Sequence, residues 1–448
     1  MSSVVVAGRD SRHRLLLMAL AVVGASALVA AIVTAGNGTG PESVTPAVGE
    51  LVPAAGATPL DAEIVRTQQH LRDVPGDYQA WATLGFDYVQ QAKLTVDPTY
   101  YPKSAAALHR SLTLDHTDNF LAMAGEASLA SARHDFRAAL GWARRGLRID
   151  PQSAVLHGAL ADALTQLGRY DAAARAAARM EDLSPGTPAE SRLSYAAELR
   201  GDDSAALRFM QLALSNAATT ADMAFARYYL GQLELNTGRP REALNEFAVG
   251  LAVAPTDVTL LEGRAKAEAA LGQTSHAIAD FQSVVNRVPQ PGYVLEYGEL
   301  LQATCRRAAA AQQWQLFRTE ERLFRANGVT LDVDETLFEA DHGDVALAVR
   351  TGARALRTRP FLDTYDAYGW ALHRAGADRP ALAQSNLALH TGMRNALYYF
   401  HRGEIERALG LTAAARRDLF EALHIDPTFS PLLASTARAH LAQLGSSR

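Results

Sequence analysis

Six short phrases that end in proline recur along this chain at multiples of about 34 residues: Ile149-Asp150-Pro151, Leu183-Ser184-Pro185, Val253-Ala254-Pro255, Arg287-Val288-Pro289, Thr358-Arg359-Pro360 and Ile425-Asp426-Pro427. The successive intervals of 34, 70, 34, 71 and 67 correspond to one, two, one, two and two periods. A fixed period of this length predicts a solenoid of helical hairpins, in which each unit buries its apolar face only against its neighbours. Growth by stacking removes the division into several globular domains that 448 residues would otherwise suggest. Ala, Leu, Arg and Glu carry the body of the chain, which favours helix throughout.

Charge narrows the partner classes. The formal net charge is -5 with acids and bases interleaved, and lysine occurs only at Lys93, Lys103 and Lys266. No one-signed basic face of the kind that neutralises phosphates is present, so nucleic acid is not expected as a partner. The single cysteine, Cys305, excludes an intrachain disulfide and any cysteine-based metal cluster. Its position within the repeats predicts a small buried filler.

The amino terminus reads as a membrane signal. Residues 1–14 are basic, with Arg9, Arg12 and Arg14 ahead of an uncharged apolar run from Leu15 to Ala35. As a helix that run is roughly 31 Å long, enough to cross a hydrocarbon core. No base follows until Arg66, so the first residues are expected in the cytoplasm and the rest of the chain outside it. Val33-Thr34-Ala35 also fits a small-x-small cleavage site, which leaves secretion after cleavage as the alternative to a single-pass anchor in the cell membrane. The apolar run is longer than the usual signal-peptide core, which favours the uncleaved anchor. Residues 36–59, with Pro41, Pro46, Pro53 and Pro59, form a linker.

From about residue 60 the repeats resemble the tetratricopeptide repeat family, whose unit pairs a helix A (W-x2-L-G-x2-Y) with a helix B (A-x3-F-x2-A) and then proline. The first unit holds Trp81, Leu84, Gly85 and Tyr88, then a seven-residue insertion with Pro98 and Pro102 before helix B resumes at Ser104. The fifth holds Leu230, Gly231, Gly238, Ala243, Phe247, Gly250 and Pro255. The seventh (Tyr297, Gly298, Ala310, Trp314, Phe317) and eighth (Gly343, Ala348, Ala355, Pro360) are degenerate, and their boundaries between residues 290 and 360 are the least defined. The resemblance implies an all-α, right-handed superhelical solenoid of about ten hairpins over residues 60–430, with a capping helix in 431–448. Gly168, Gly201, Gly238, Gly272, Gly376 and Gly410 fall at the turn between helices A and B, where a left-handed conformation suits glycine.

The same resemblance implies that helix A lines the inner surface at its second, fifth, ninth and twelfth places. These hold Phe86 and Val89; Tyr195 and Glu198; Phe225, Tyr228 and Gln232; Glu262 and Lys266; Asp366, Trp370 and His373; and Phe400, Glu404 and Arg407. Aromatics at exposed places among polar neighbours are typical interface anchors. Phe86, Tyr195, Phe225, Tyr228, Gln232, Lys266, Trp370, His373, Phe400, Glu404 and Arg407 are therefore the candidate groove for a peptide or protein partner. A clamp for C-terminal carboxylates, which some family members build from Lys, Asn and Arg, is disfavoured because Lys266 stands alone.

No catalytic signature emerges. Asp332-Val333-Asp334-Glu335-Thr336 matches a phosphatase nucleophile loop in spelling, but that chemistry needs a parallel sheet, and an acidic helix start explains it. Asp341, His342 and Asp344 form a turn cluster, and His401 with Glu404 lacks a second ligand pair. No G-x-S-x-G, phosphate loop or dinucleotide fingerprint occurs. The sequence thus predicts a non-enzymatic scaffold without cofactor or metal. Two alternatives remain open: a ligand-processing or catalytic site within residues 305–345, and a self-associating structural protein.

Overall fold

The computed structural model describes residues 59–446, so the expected membrane segment at 15–35 and most of the linker lie outside the described residues. Among the described residues there are 22 α-helices and no strand, and no helix is long and apolar enough to cross a membrane. Helix α1 (Pro59–Asp73) opens the array. Ten antiparallel hairpins follow: α2 (Tyr78–Thr95) with α3 (Tyr100–Leu114), α4 (Phe120–Ala132) with α5 (Phe136–Ile149), α6 (Ala154–Gln166) with α7 (Tyr170–Leu183), α8 (Thr187–Glu198) with α9 (Asp203–Ser215), and α10 (Thr220–Asn236) with α11 (Pro240–Val253). The second five are α12 (Val258–Ala270) with α13 (Thr274–Arg287), α14 (Pro291–Ala303) with α15 (Arg307–Ala326), α16 (Asp332–His342) with α17 (Val345–Thr358), α18 (Leu362–Arg374) with α19 (Asp378–Ala388), and α20 (Ala396–Ala408) with α21 (Thr412–Ile425). Helix α22 (Ala434–Ser446) covers the last apolar face, packing Ala437 and Leu441 into the cluster that holds Phe400 and Leu419.

Local chemistry sets the boundaries. Asp77, Asn119, Asp202 and Asp257 each accept a backbone N–H of the helix they precede, and Thr219 with Asp222 forms a capping box. Within a unit, small residues let helices approach. A Cβ on Gly231 or Gly263 would stand 2.4 or 2.3 Å from the Phe247 ring, which is fully buried between α10, α11 and α12. Leu108 plays the same part between Gly85 and Gly125.

Two sequence expectations need correction. Cys305 is exposed and sits at the α14–α15 turn with φ 63°, in the left-handed place that glycine takes in six other units. His134 takes it in the second unit with φ 62°. The seven-residue insertion in the first unit is taken up by its helices: α2 runs on to Thr95 and α3 begins at Tyr100, ahead of Ser104, because Pro102 is accommodated in a first helical turn that needs no N–H from it.

The array winds far enough for successive turns of the superhelix to touch. His134 Nδ1 donates to the Thr330 carbonyl at 2.6 Å, across 196 positions, and Arg359 Nε donates to Gln166 Oε1 at 2.6 Å, across 193. A Cβ on Gly168, Gly201 or Gly238 would lie 2.4, 2.2 or 2.7 Å from the backbone oxygen of Pro360, Gly392 or Ile425. One turn therefore takes between five and six repeats. The seam is apolar as well: Leu199 clusters with Phe361, Leu389 and Met393, and Phe324, Val329 and Leu331 with Val89 and Leu129.

Candidate functional site

Where the turns meet, the A helices line a half-open interior cavity of about 600 Å³, bounded by residues from Lys93 on α2 to Asn395 at the start of α20. That volume lies in the range of ligand sites, roughly 300–1,000 Å³.

Its wall is built by the repeat itself. Equivalent places on neighbouring A helices pair: Tyr228 Oη donates to Glu262 Oε2 at 3.1 Å across 34 positions, and Lys266 Nζ donates to Gln232 Oε1 at 3.3 Å across another 34. Lys266 also lies 3.2 Å from carboxylate oxygens of both Glu262 and Glu296. Burial pushes the Glu262 carboxyl up, and the Lys266 ammonium offsets that push only in part. For Lys266, burial alone would favour the neutral amine, but the two carboxylates outweigh it and hold the ammonium charged. Arg192 on α8 binds Asp162 on α6 with two parallel bonds of 2.8 and 2.7 Å. Lys93 stands near this pair; burial pulls its pKa down to about 8, against the attraction of Asp162.

A second set of groups meets only because the superhelix closes. Glu198 ends α8 on one turn, while Asp334 on α16 and Asp363 on α18 belong to the next, and all three line the cavity. Burial raises Glu198 to about 7, with repulsion from Asp203 and Asp363 adding to it and a hydrogen bond from Asn236 opposing. Burial raises Asp334 to about 6, with Arg359 opposing. Asp363 is raised by burial too, although Arg359 and a hydrogen bond from Tyr398 pull it down. Carboxylates thus outnumber cations on this wall.

Of the eleven candidate groove residues, the structure places five on the cavity: Tyr195, Phe225, Tyr228, Gln232 and Lys266. The other six lie elsewhere. Trp370 is 4 % exposed, stacks on His401 with centroids 4.2 Å apart and donates to Asp341 at 3.0 Å, so it packs between repeats. Phe400 is buried against Leu419 and Phe429. The expectation that these two are exposed anchors is corrected: the same helical places turn inward to the core once a large partner stands at the adjacent repeat. Glu404 is buried and joined to Arg407 at 2.8 Å and His440 at 2.7 Å. His373 pairs with Asp378 at its own turn, and Phe86 is half-buried on α2 outside the cavity.

The acidic stretch at 332–336 begins α16, as an acidic helix start requires. The turn cluster scatters: Asp341 serves Trp370, His342 faces Glu299 at 3.4 Å and stacks on Trp314, and Asp344 caps α17. His401 is held by Asp366 at 2.9 Å. Sequence reasoning missed Lys93, Asp162, Arg192, Tyr293, Asp334 and Asp363 as wall residues. Superhelical closure brings Asp334 and Asp363 round to this space, and the 34-residue register carries no signal for it; Asp162 and Arg192 meet on adjacent A helices.

No family model matches the sequence, and no curated protein matches it. Among solved structures, the chain is similar to a tetratricopeptide repeat protein from Parabacteroides merdae, at 18 % identity over 58 % of this chain and 99 % of that one, TM-score 0.35. It is similar to TTC0263, a TPR protein of Thermus thermophilus, at 23 % identity over 42 % of this chain and 98 % of that one, TM-score 0.38. It is similar to human IFIT1, solved as a dimer with m7Gppp-AAAA, at 14 % identity over 74 % of this chain and 77 % of that one, TM-score 0.46. The hairpins carry the assignment on their own geometry: ten helix pairs spaced 30 to 42 residues apart, mostly 33 or 34, with small residues where A and B cross and an aromatic such as Phe247 locked between them, make this chain a tetratricopeptide-repeat solenoid in fold.

Proposed function

We propose that this chain is a non-catalytic scaffold that holds a segment of a protein partner inside its superhelix. The observation that supports this reading most is the wall of Tyr195, Phe225, Tyr228, Gln232 and Lys266, aromatic and polar side chains presented to a half-open cavity of about 600 Å³ by successive A helices. A space of that size suits a few residues of a peptide, with aromatic faces for packing and polar groups for register. The acid excess disfavours a phosphate backbone. We also propose that residues 15–35 tether the scaffold, with the repeats outside the cytoplasm, as the arginines ahead of that run favour.

A second reading, a ligand-processing site in residues 305–345, draws on Asp332 and Asp334 lining the same cavity.

A photo-crosslinking residue at position 228 of the full-length chain, activated in the native membrane, tests the scaffold. Crosslinks to one recurring peptide segment are expected. Adducts restricted to small molecules, or none above an exposed control at position 420, would contradict it. Protease accessibility of the repeats in intact cells with permeabilised envelopes tests the location.

A further inference from the structure

The wall formed by Glu198, Asp334 and Asp363 carries more acid than its contacts to the neighbouring repeats use. Its only cation across the seam is Arg359, whose Nε is given to Gln166 and whose guanidinium lies over the rings of Phe136 and Phe361. Asn236 and Tyr398 supply single hydrogen bonds to Glu198 and Asp363. Three half-buried carboxylates facing one half-open cavity, with so little compensation, repel one another in the empty protein.

A second, independent feature lies on the same cavity. Tyr293 is 5 % exposed and Gln290 4 %, and neither the Tyr293 hydroxyl nor Gln290 Oε1 has a hydrogen-bond partner. Oε2 of Glu296, the carboxylate between Tyr293 and Asp334, is also buried without one. Buried polar atoms are normally satisfied, so Gln290 Oε1 and Glu296 Oε2 are open acceptors, the Tyr293 hydroxyl can accept or donate, and Gln232 Nε2 is an open donor on the same cavity. Among the described residues no three His, Cys, Asp or Glu side chains stand close enough together to hold a metal ion. The donors must therefore be spread over a larger group. An ammonium or guanidinium on an alkyl stem fits: its charge reaches the carboxylates, its N–H groups fill the orphaned oxygens, and its stem lies along Tyr195 and Tyr228. Lys93 and Arg192 belong to a different stretch of wall, on α2 and α8, where Asp162 balances them.

We infer that the cavity selects an organic cation, and that the wall of Glu198, Asp334 and Asp363 attracts the ammonium or guanidinium head of a lysine or arginine side chain carried by the captured segment, while Glu296, whose other oxygen holds Lys266, offers only Oε2. This rests on the scaffold reading above for the source of the cation. A free polyamine offers the same chemistry without a peptide.

The test uses the full-length chain in non-ionic detergent and fluorescent pentapeptide pools with randomised flanks and a fixed central Lys, Arg, norleucine or Glu, read by polarisation, with spermidine measured by calorimetry. Lys and Arg pools are expected to bind at least about tenfold tighter than norleucine, and the E198Q/D363N double variant is expected to abolish the difference. A thermal melt of the variant checks folding; neutralising buried carboxylates should leave the melting temperature equal or higher. Equal binding of Lys and norleucine pools overturns the cation inference while leaving peptide capture intact. Binding of spermidine alone, lost in the double variant, supports the cation site and overturns the peptide reading. Binding of no probe overturns both.

Discussion

Gly201 and Gly392 meet across the superhelical seam: a Cβ on Gly201 would stand 2.2 Å from the Gly392 carbonyl oxygen. Gly201 also has φ 73°, so two requirements coincide at one residue. Gly272 has φ 74° and open space around its missing Cβ, which separates them. Both Gly→Ala substitutions incur the left-handed penalty of about 1–2 kcal/mol. G201A should lose about 1–3 kcal/mol more through overpacking against backbone. Urea unfolding of the two variants checks this, and equal losses would mean that the seam contributes nothing.

Trp370 and Phe400 lie in the core between repeats, so W370A and F400A should each cost about 3–5 kcal/mol. Y228A, on the cavity wall, should cost much less. Thermal melts of the three variants rank them; a mild W370A would put its ring on the surface.

The period was readable from spacing, and the resemblance it supports implied the repeat count, the C-terminal capping helix and the A–B turns, because the contacts that fix them lie within one or two units. Tyr228, Gln232, Glu262 and Lys266 were readable as wall for the same reason, since each pairs with a residue about one period away. Asp334 and Asp363 were not, because what brings them opposite Glu198 is a turn of about 190 residues whose pitch depends on small rotations summed over many hairpins. Cys305 was misread because a left-handed turn place occupied by cysteine has no glycine to announce it.

K266A should leave Glu262, 1 % exposed, without its cation. A loss of about 2–4 kcal/mol is expected at pH 9, where Glu262, pushed up to about 8 by burial, is ionised. At pH 5 the loss should shrink, because Glu262 then folds as the neutral acid. Chemical unfolding at both pH values decides; the same loss at each would show that the charge pair is not what Lys266 supplies.

Stability of the empty protein should fall as pH rises. Asp87, Glu198, Glu320 and Glu406 are pushed up to about 7 and Asp334 to about 6, all mainly by burial. Their unfolded values lie near 4, so the folded state binds more protons between. Their contribution is complete below about pH 4 and lost as pH passes 7. His134, lowered by burial to about 4, opposes this as a single group, and Lys93, lowered to about 8, acts above the window. The melting temperature should drop by several degrees from pH 5 to pH 7.5 at constant salt, and less in E198Q. A rise would contradict the burial of these carboxylates.

The central claim is that the solenoid closes on itself around the cavity, and residues 134 and 330 report it most directly. In a C305G background, the double substitution His134→Cys and Thr330→Cys places thiols on the two sides of the seam; cysteine already occupies the left-handed place at 305. A short bis-maleimide is predicted to join the two peptides within one chain, rapidly and at any protein concentration. Full helicity without that intrachain link would show that the turns stand apart and that no such cavity exists.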